Sequence, residues 1–258
     1  MIRRQLRNCA TALLIFAAPL TQADEIKAAV AANFTATMKR LAPVFERTSG
    51  HKLVASFGAT GQLYAQINNG APFDVLLAAD DTTPQRLVTE GNAIADSNFI
   101  YARGRLALWS STPGYVDAEG AILKSDKFSR IAIANPKAAP YGRAAIDALT
   151  ALQLLDRLQP KFVTGENIAQ TQQFVSSGNV PLGFIALAQV KALAPEDRGS
   201  YWVVPSTLHK PIDQGAVLLK TASGSAAARA FLAFLKSPEA IVIIRELGYE
   251  TPAAAAHN

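Results

Sequence analysis

The sequence predicts an α/β protein built as two doubly wound lobes around a ligand cleft. Three observations carry that expectation. Strand-like apolar runs alternate with helical patterns from Glu25 onward, the grammar of a parallel sheet covered by helices. The alternation is broken once by an extended stretch, Phe99 to Ser110, long enough to leave one lobe and enter another, and then resumes. Four of the apolar runs end in a short polar or glycine-bearing elbow that opens into a helix: VAANFT (30–35), SFGATGQ (56–62), IANPKAAPYG (133–142) and VTGENIA (163–169).

In chain order, the first element is a leader rather than part of the fold. Arg3, Arg4 and Arg7 precede an apolar core, Ala10 to Leu20, too short to span a bilayer, and Thr21–Ala23 offers small residues for cleavage. Residues 1–23 therefore read as a secretory signal cut near Ala23, and the working protein as periplasmic. Cys9, the one cysteine, lies before the apolar core, where it is badly placed for lipid attachment, so the mature chain has no thiol. Losing three arginines lowers the net charge from +5 to +2. With 17% charged residues and no lysine-rich stripe, nucleic-acid binding has little electrostatic support.

Glu25 to Ala31 reads as a buried strand, and Phe34, Met38, Leu41 and Phe45 then recur at helical spacing until Gly50, with Pro43 expected to bend the helix. Lys52 to Phe57 is strand-like, Leu63 and Ile67 mark a helix stopped at Gly70, and Phe73 to Ala79 is a third strand before a helix over Pro84 to Glu90. Beyond the extended stretch, Ile131 to Ala134 is a strand, Ala144 to Leu155 a helix, Phe162-Val163 a short strand, and Pro181 to Ile185 a strand feeding a helix over Ala188 to Leu193. Tyr201 to Val204 and Gly215 to Leu219 read as the return path into the first lobe. Helices over Ala226 to Leu235 and from the cap Ser237-Pro238-Glu239 to Gly248 close the chain, and the tail 253–258 is small and polar. Crossings near Tyr101 and Pro205 divide the chain into lobe I, 24–100 with 206–258, and lobe II, 101–205.

Each elbow leaves a helix's first N–H groups unpaired, with the positive end of the helix dipole behind them, and such termini hold anions. Asn33, Thr60 and Tyr141 stand at the elbows as neutral donors, while cations are nearly absent there. In open α/β sheets, ligands bind beyond the carboxyl ends of the strands, so two facing lobes would bring four elbows onto one small, proton-free oxyanion.

The elbows and their order resemble the periplasmic molybdate-binding proteins of ABC importers, the ModA family. The matching segments are VAANFTATM, GQLYAQINNGAPFDVLLAAD (61–80), IANPKAAPYG and VPLGFIALAQV (180–190), across nearly all of the mature chain. The resemblance implies a type II periplasmic-binding-protein fold, capture of molybdate with tungstate as a near-isosteric competitor, and delivery to a membrane permease by a monomer. It implies no cofactor; molybdenum enters only as the bound oxyanion. Ligand contacts carried over from the family fall on Asn33, Thr60, Tyr141 and the backbone N–H of Ile168, with Ala32, Phe34, Ala59, Gly61 and Ala186 as further positions. Some relatives place a tyrosine where this chain has Ala186, and its hydroxyl looks relocated to Tyr141.

Plainer roles remain open for each residue. Asn33 is placed to cap the helix beginning at Phe34, Thr60 lies between glycines as a turn residue would, and Tyr141 could line the cleft wall. Arg103, Arg105, Lys137 and Arg143 read as solvated charges, at most steering an anion. The alternatives are a receptor for sulfate or another small oxyanion, or an enzyme or sensor domain on the same scaffold. His51, His209 and His257 are scattered without zinc-ligand spacing, and no nucleophile motif is present, so the sequence is read as a binding protein and not an enzyme.

Overall fold

A computed structural model describes residues 24–252; the signal segment 1–23 and the tail 253–258 lie outside the described residues. Two five-stranded mixed sheets organise the chain. The first is built from β1 (Glu25–Ala31), β2 (Lys52–Gly58), β3 (Val75–Leu77), β4 (Phe99–Gly104) and β10 (Ile212–Leu218), in the order β2-β1-β3-β10-β4. The second contains β5 (Leu106–Ser110), β6 (Ile131–Ala134), β7 (Phe162–Gly165), β8 (Gly183–Ala186) and β9 (Ser200–Val203), in the order β7-β6-β8-β5-β9. Strands β1, β2 and β3 run parallel, as do β6, β7 and β8, whereas β10 and β5 pair antiparallel to their neighbours. The expected wholly parallel sheets are therefore parallel only in their βαβ cores.

Helix α1 (Thr35–Ser49) follows β1 after a single 3-10 turn, buries Met38, Leu41 and Phe45, and ends at Gly50, whose φ of 74° suits a residue without a Cβ. Helix α2 (Thr60–Asn68) follows β2, α3 (Thr82–Thr89) follows β3, α4 (Pro140–Ala151) follows β6, α6 (Ile168–Ser176) follows β7 and α7 (Leu187–Lys191) follows β8. The helix expected over 144–155 starts earlier, at the first-turn Pro140, and stops at Ala151; Gln153 takes a φ of 59°, and α5 (Leu155–Leu158) is a separate turn. Helices α8 (Ala226–Phe234) and α9 (Pro238–Glu246) cover the first sheet's side of the molecule, each capped by a serine side chain, Ser225 and Ser237.

Strand β4 stays paired with β10 as far as Gly104, and β5 begins at Leu106, so the change of sheet falls at Arg105 rather than near Tyr101. Tyr201–Val203, expected on the return path, is instead the second sheet's edge strand, paired with β5 through Trp109↔Tyr201. An apolar strand end cannot be told from an edge strand by its own residues; only the partner decides.

Candidate functional site

Strand register brings the elbows together. In the first sheet Ala31 is level with Gly58, so the turns that follow β1 and β2 leave the sheet side by side. In the second, Ala134 is level with Gly165, which does the same for the turns after β6 and β7. Glycine is needed at one of these bends: a Cβ on Gly142 would run into the carbonyl oxygen of Ala134, where α4 folds back on β6.

The two pairs of elbows face each other across a small cavity of about 10 Å³. Asn33, Thr60, Tyr141 and Ile168 all line it, as do Ala32 and Ala59. None of its eleven lining residues is charged. Phe34, Gly61 and Ala186, the other sequence candidates, lie off it. Phe34 is packed edge-on between Tyr101 and Tyr249 in the core. The Gly61 N–H donates to Ala138 O at 2.9 Å, and the Ala186 N–H to Gln189 Oε1 at 2.9 Å, so both donors are already engaged. The Ala59 N–H likewise faces Gln62 Oε1.

The cavity wall is a set of donors. Asn167 caps α6, its Oδ1 accepting from the N–H groups of Ala169 and Gln170, which leaves Ile168 N–H without an acceptor among the described residues. The backbone N–H groups of Asn33, Thr60 and Tyr141 are likewise without a protein acceptor among the described residues. Thr60 Oγ1 accepts from the Ala79 N–H at 2.9 Å, so its own hydrogen is available to the cavity. Tyr141 Oη accepts from Gln214 Nε2 at 3.1 Å, so its own hydrogen is left to the Tyr249 oxygen behind it or to the cavity. Burial raises the Tyr141 phenol well above its usual range, so the group stays protonated and able to donate.

Asn33 departs from the capping role. A 3-10 turn over Ala32–Phe34 intervenes before α1, no side chain caps that helix, and Asn33 Nδ2 instead donates to Gln214 Oε1 and Tyr249 Oη, each at 3.0 Å. Its backbone N–H is the part of the residue left without a protein acceptor among the described residues. The sequence reading missed Tyr101, Gln214 and Tyr249, buried behind the wall, and Ala79, which orients Thr60. No local signal marks them, because each belongs to a strand or helix end whose neighbours are more than ten residues away in sequence.

The cationic side chains stand outside. Arg143 pairs with Asp80 at 2.6 Å across the mouth, and Arg103 pairs with Asp213 at 2.6 Å on the surface. Beside the Arg143–Asp80 pair lies a larger open groove of about 540 Å³, whose wall carries Asp80, Asp81 and Asp147 together with Arg143 and Lys210. Further links join the lobes: Gln62 Nε2 donates to Glu166 Oε2 at 3.3 Å, beside the Gly61–Ala138 bond. Among the described residues, no cluster of three His, Cys, Asp or Glu side chains is arranged to hold a metal, and no helix is long and apolar enough to cross a membrane.

Comparison with known proteins agrees with this arrangement. Residues 26–250 match the family model described as bacterial extracellular solute-binding protein. The chain is 52% identical over 228 residues to the molybdate-binding protein ModA of Azotobacter vinelandii, covering 88% of this chain and 90% of that one. It is 49% identical over 242 residues to ModA of Rhodobacter capsulatus, with 94% of both chains covered. The solved structure of a periplasmic molybdate-binding protein from Azotobacter vinelandii superposes with a TM-score of 0.84 at 41% identity, covering 88% of this chain and all of that one. The two-lobed α/β architecture, the donor-lined cavity between the lobes and these similarities together place the chain in the ModA family of bacterial extracellular solute-binding proteins.

Proposed function

We propose that the protein captures molybdate, and tungstate as its near-isosteric rival, in the periplasm and passes it to the membrane permease of an ABC importer. The observation that supports this most is the cavity wall: unpaired backbone N–H groups and two hydroxyls with a hydrogen to give, and not one charged side chain. Asn33, Thr60, Tyr141 and Ile168 would hold the ion, with Ala32 lining the wall beside them. Helices α2, α4 and α6 begin at this wall, so their dipoles add positive potential without a cation.

Molybdate at neutral pH is a tetrahedral dianion with no proton, and a wall of donors satisfies its oxygens. Hydrogen phosphate would bring an O–H for which the wall has no carboxylate acceptor, and a buried unpaired donor costs about 1–3 kcal/mol, a factor of ten or more in affinity. Sulfate needs the same donors and differs in size, so a cage drawn tight by lobe closure would discriminate by the longer metal–oxygen bonds of molybdate. Similarity to named binding proteins favours molybdate over sulfate.

The protein acts by binding and closing rather than by chemistry on its ligand: no base is placed beside a nucleophile in the cavity. It needs no cofactor in this reading, works as a monomer, and has its leader removed near Ala23. We take lobe I as residues 24–104 and 206–252 and lobe II as 106–205, with the first boundary moved from 100 to the crossing at Arg105. Titration calorimetry with molybdate, tungstate, sulfate and phosphate tests the assignment. Heat with the first two and none with the others is expected; heat with sulfate or phosphate at comparable affinity would refute it.

A further inference from the structure

Behind the cavity, a relay of hydrogen bonds fixes which way the Tyr141 hydroxyl can point. It begins at a backbone oxygen, for Tyr249 Oη donates its one hydrogen to the carbonyl of Asn33 at 2.9 Å. Tyr249 can then only accept from Asn33 Nδ2, at 3.0 Å, and that same amide nitrogen donates to Gln214 Oε1 at 3.0 Å. The Tyr101 hydroxyl also lies on Gln214 Oε1, at 3.0 Å. With its oxygen so occupied, Gln214 presents Nε2 to Tyr141 Oη at 3.1 Å. An N–H group cannot accept, so the Tyr141 oxygen receives that hydrogen and its own must go elsewhere. The nearby Tyr249 oxygen already accepts from Asn33, and a neutral oxygen competes poorly with an oxyanion for a donor.

Gln214 is fully buried, and it sits on β10 where the register with β4 shifts between Gln214 and Gly215. Its partners come from both sides of the cleft: Asn33 and Tyr101 belong to the first sheet's side, Tyr141 to α4 on the second. We propose that Gln214 is a positioning residue that sets the hydrogen-bond polarity of the cavity. It holds Tyr141 as a donor toward a proton-free oxyanion, and it does so only when the lobes are closed. The inference rests on the molybdate reading and deepens it: selectivity against protonated anions is built behind the wall as well as on it.

A double-mutant cycle tests the idea, with molybdate affinity measured by calorimetry for Tyr141→Phe, Gln214→Met and the pair. Each single change is expected to weaken binding roughly tenfold, and the pair hardly more than either, because both remove the same donated hydrogen. Discrimination against hydrogen phosphate should also narrow in Gln214→Met, where the Tyr141 oxygen is released to accept. Losses that multiply to about a hundredfold, or a Gln214→Met protein that binds like the parent, would overturn the proposal. Should Gln214→Met not fold, Gly104→Ala reaches the same pair, since a Cβ there would collide with the Tyr141 hydroxyl and stand 2.6 Å from Gln214 Nε2. A tenfold loss that Tyr141→Phe does not deepen is then expected; unchanged affinity in Gly104→Ala counts against the role. If the parent protein takes up a different oxyanion of the panel and not molybdate, the functional reading fails separately, and the same cycle on that anion still judges the polarity argument.

Discussion

In the proposed recognition two hydroxyls supply the side-chain part, Thr60 held by the Ala79 N–H and Tyr141 by Gln214 Nε2. Tyr141→Phe removes one donated hydrogen and leaves Gln214 Nε2 unmet, so molybdate binding should weaken by about 1–2 kcal/mol; unchanged affinity by calorimetry would remove Tyr141 from the site. Thr60→Val has two consequences. The ligand loses a donor, and the Ala79 N–H loses its buried acceptor, so stability should fall by about 1–3 kcal/mol along with affinity. Denaturant unfolding of the unliganded variant separates the two, and an unaltered midpoint would show that Ala79 finds another partner. Asn33 shows how a residue type can be right and its role different. Its side chain was placed at a helix start by the sequence, yet the segment just after α9, 216 residues away in chain order, supplies Tyr249, and the amide turns inward to meet it.

At the scale of elements, the site exists because parallel strands end level with one another. Ala31 opposite Gly58, and Ala134 opposite Gly165, set two helix starts beside each other in each lobe. The elbows' polar residues were legible, because helix-start chemistry is local; the first-turn Pro140 and the asparagine cap at Asn167 were not placed, the helix being expected only from Ala144. Which N–H groups remained unpaired was not legible: Gly61 reaches across to Ala138, while Thr60 beside it does not. The Arg143–Asp80 pair bridges the lobes at the mouth rather than touching the cavity. It is partly exposed, so Arg143→Ala should reduce affinity by no more than about 1 kcal/mol, the scale of a solvent-exposed ion pair, with a smaller loss at high salt. A hundredfold loss would instead place that guanidinium on the ion.

The whole molecule is a clamp whose two halves share buried contacts. Ala31, Ala32, Ala59 and Ala79 from the first lobe pack in the same apolar cluster as Leu106, Ile133, Tyr141 and Ile168. Opening must break that packing, so small-angle scattering should show the protein compacting when molybdate is added; an unchanged radius of gyration would refute hinge closure. The buried phenols also give a pH dependence. Unfolded tyrosines titrate near about 10, and burial holds Tyr101, Tyr141 and Tyr249 above that. A group with a raised folded value contributes stability that is complete below its unfolded value and disappears as pH climbs toward the folded one. Tm should therefore fall as pH passes about 10, more gently in Tyr249→Phe, and equal slopes would show that other groups govern it.

Alternating apolar runs, helix-start chemistry and four elbows pointed to the α/β class, the two lobes and the neutral donors Asn33, Thr60 and Tyr141, because those signals are written within a few neighbouring positions; Ile168, which lines the same cavity, came only from the resemblance to the ModA family. The mixed direction of the sheets, the passage at Arg105 and the inward turn of Asn33 were decided only by tertiary structure. So was the relay through Tyr249 and Gln214. A hydrogen bond's direction depends on every partner's remaining donors and acceptors, and those partners meet only after the chain has crossed between its lobes and returned.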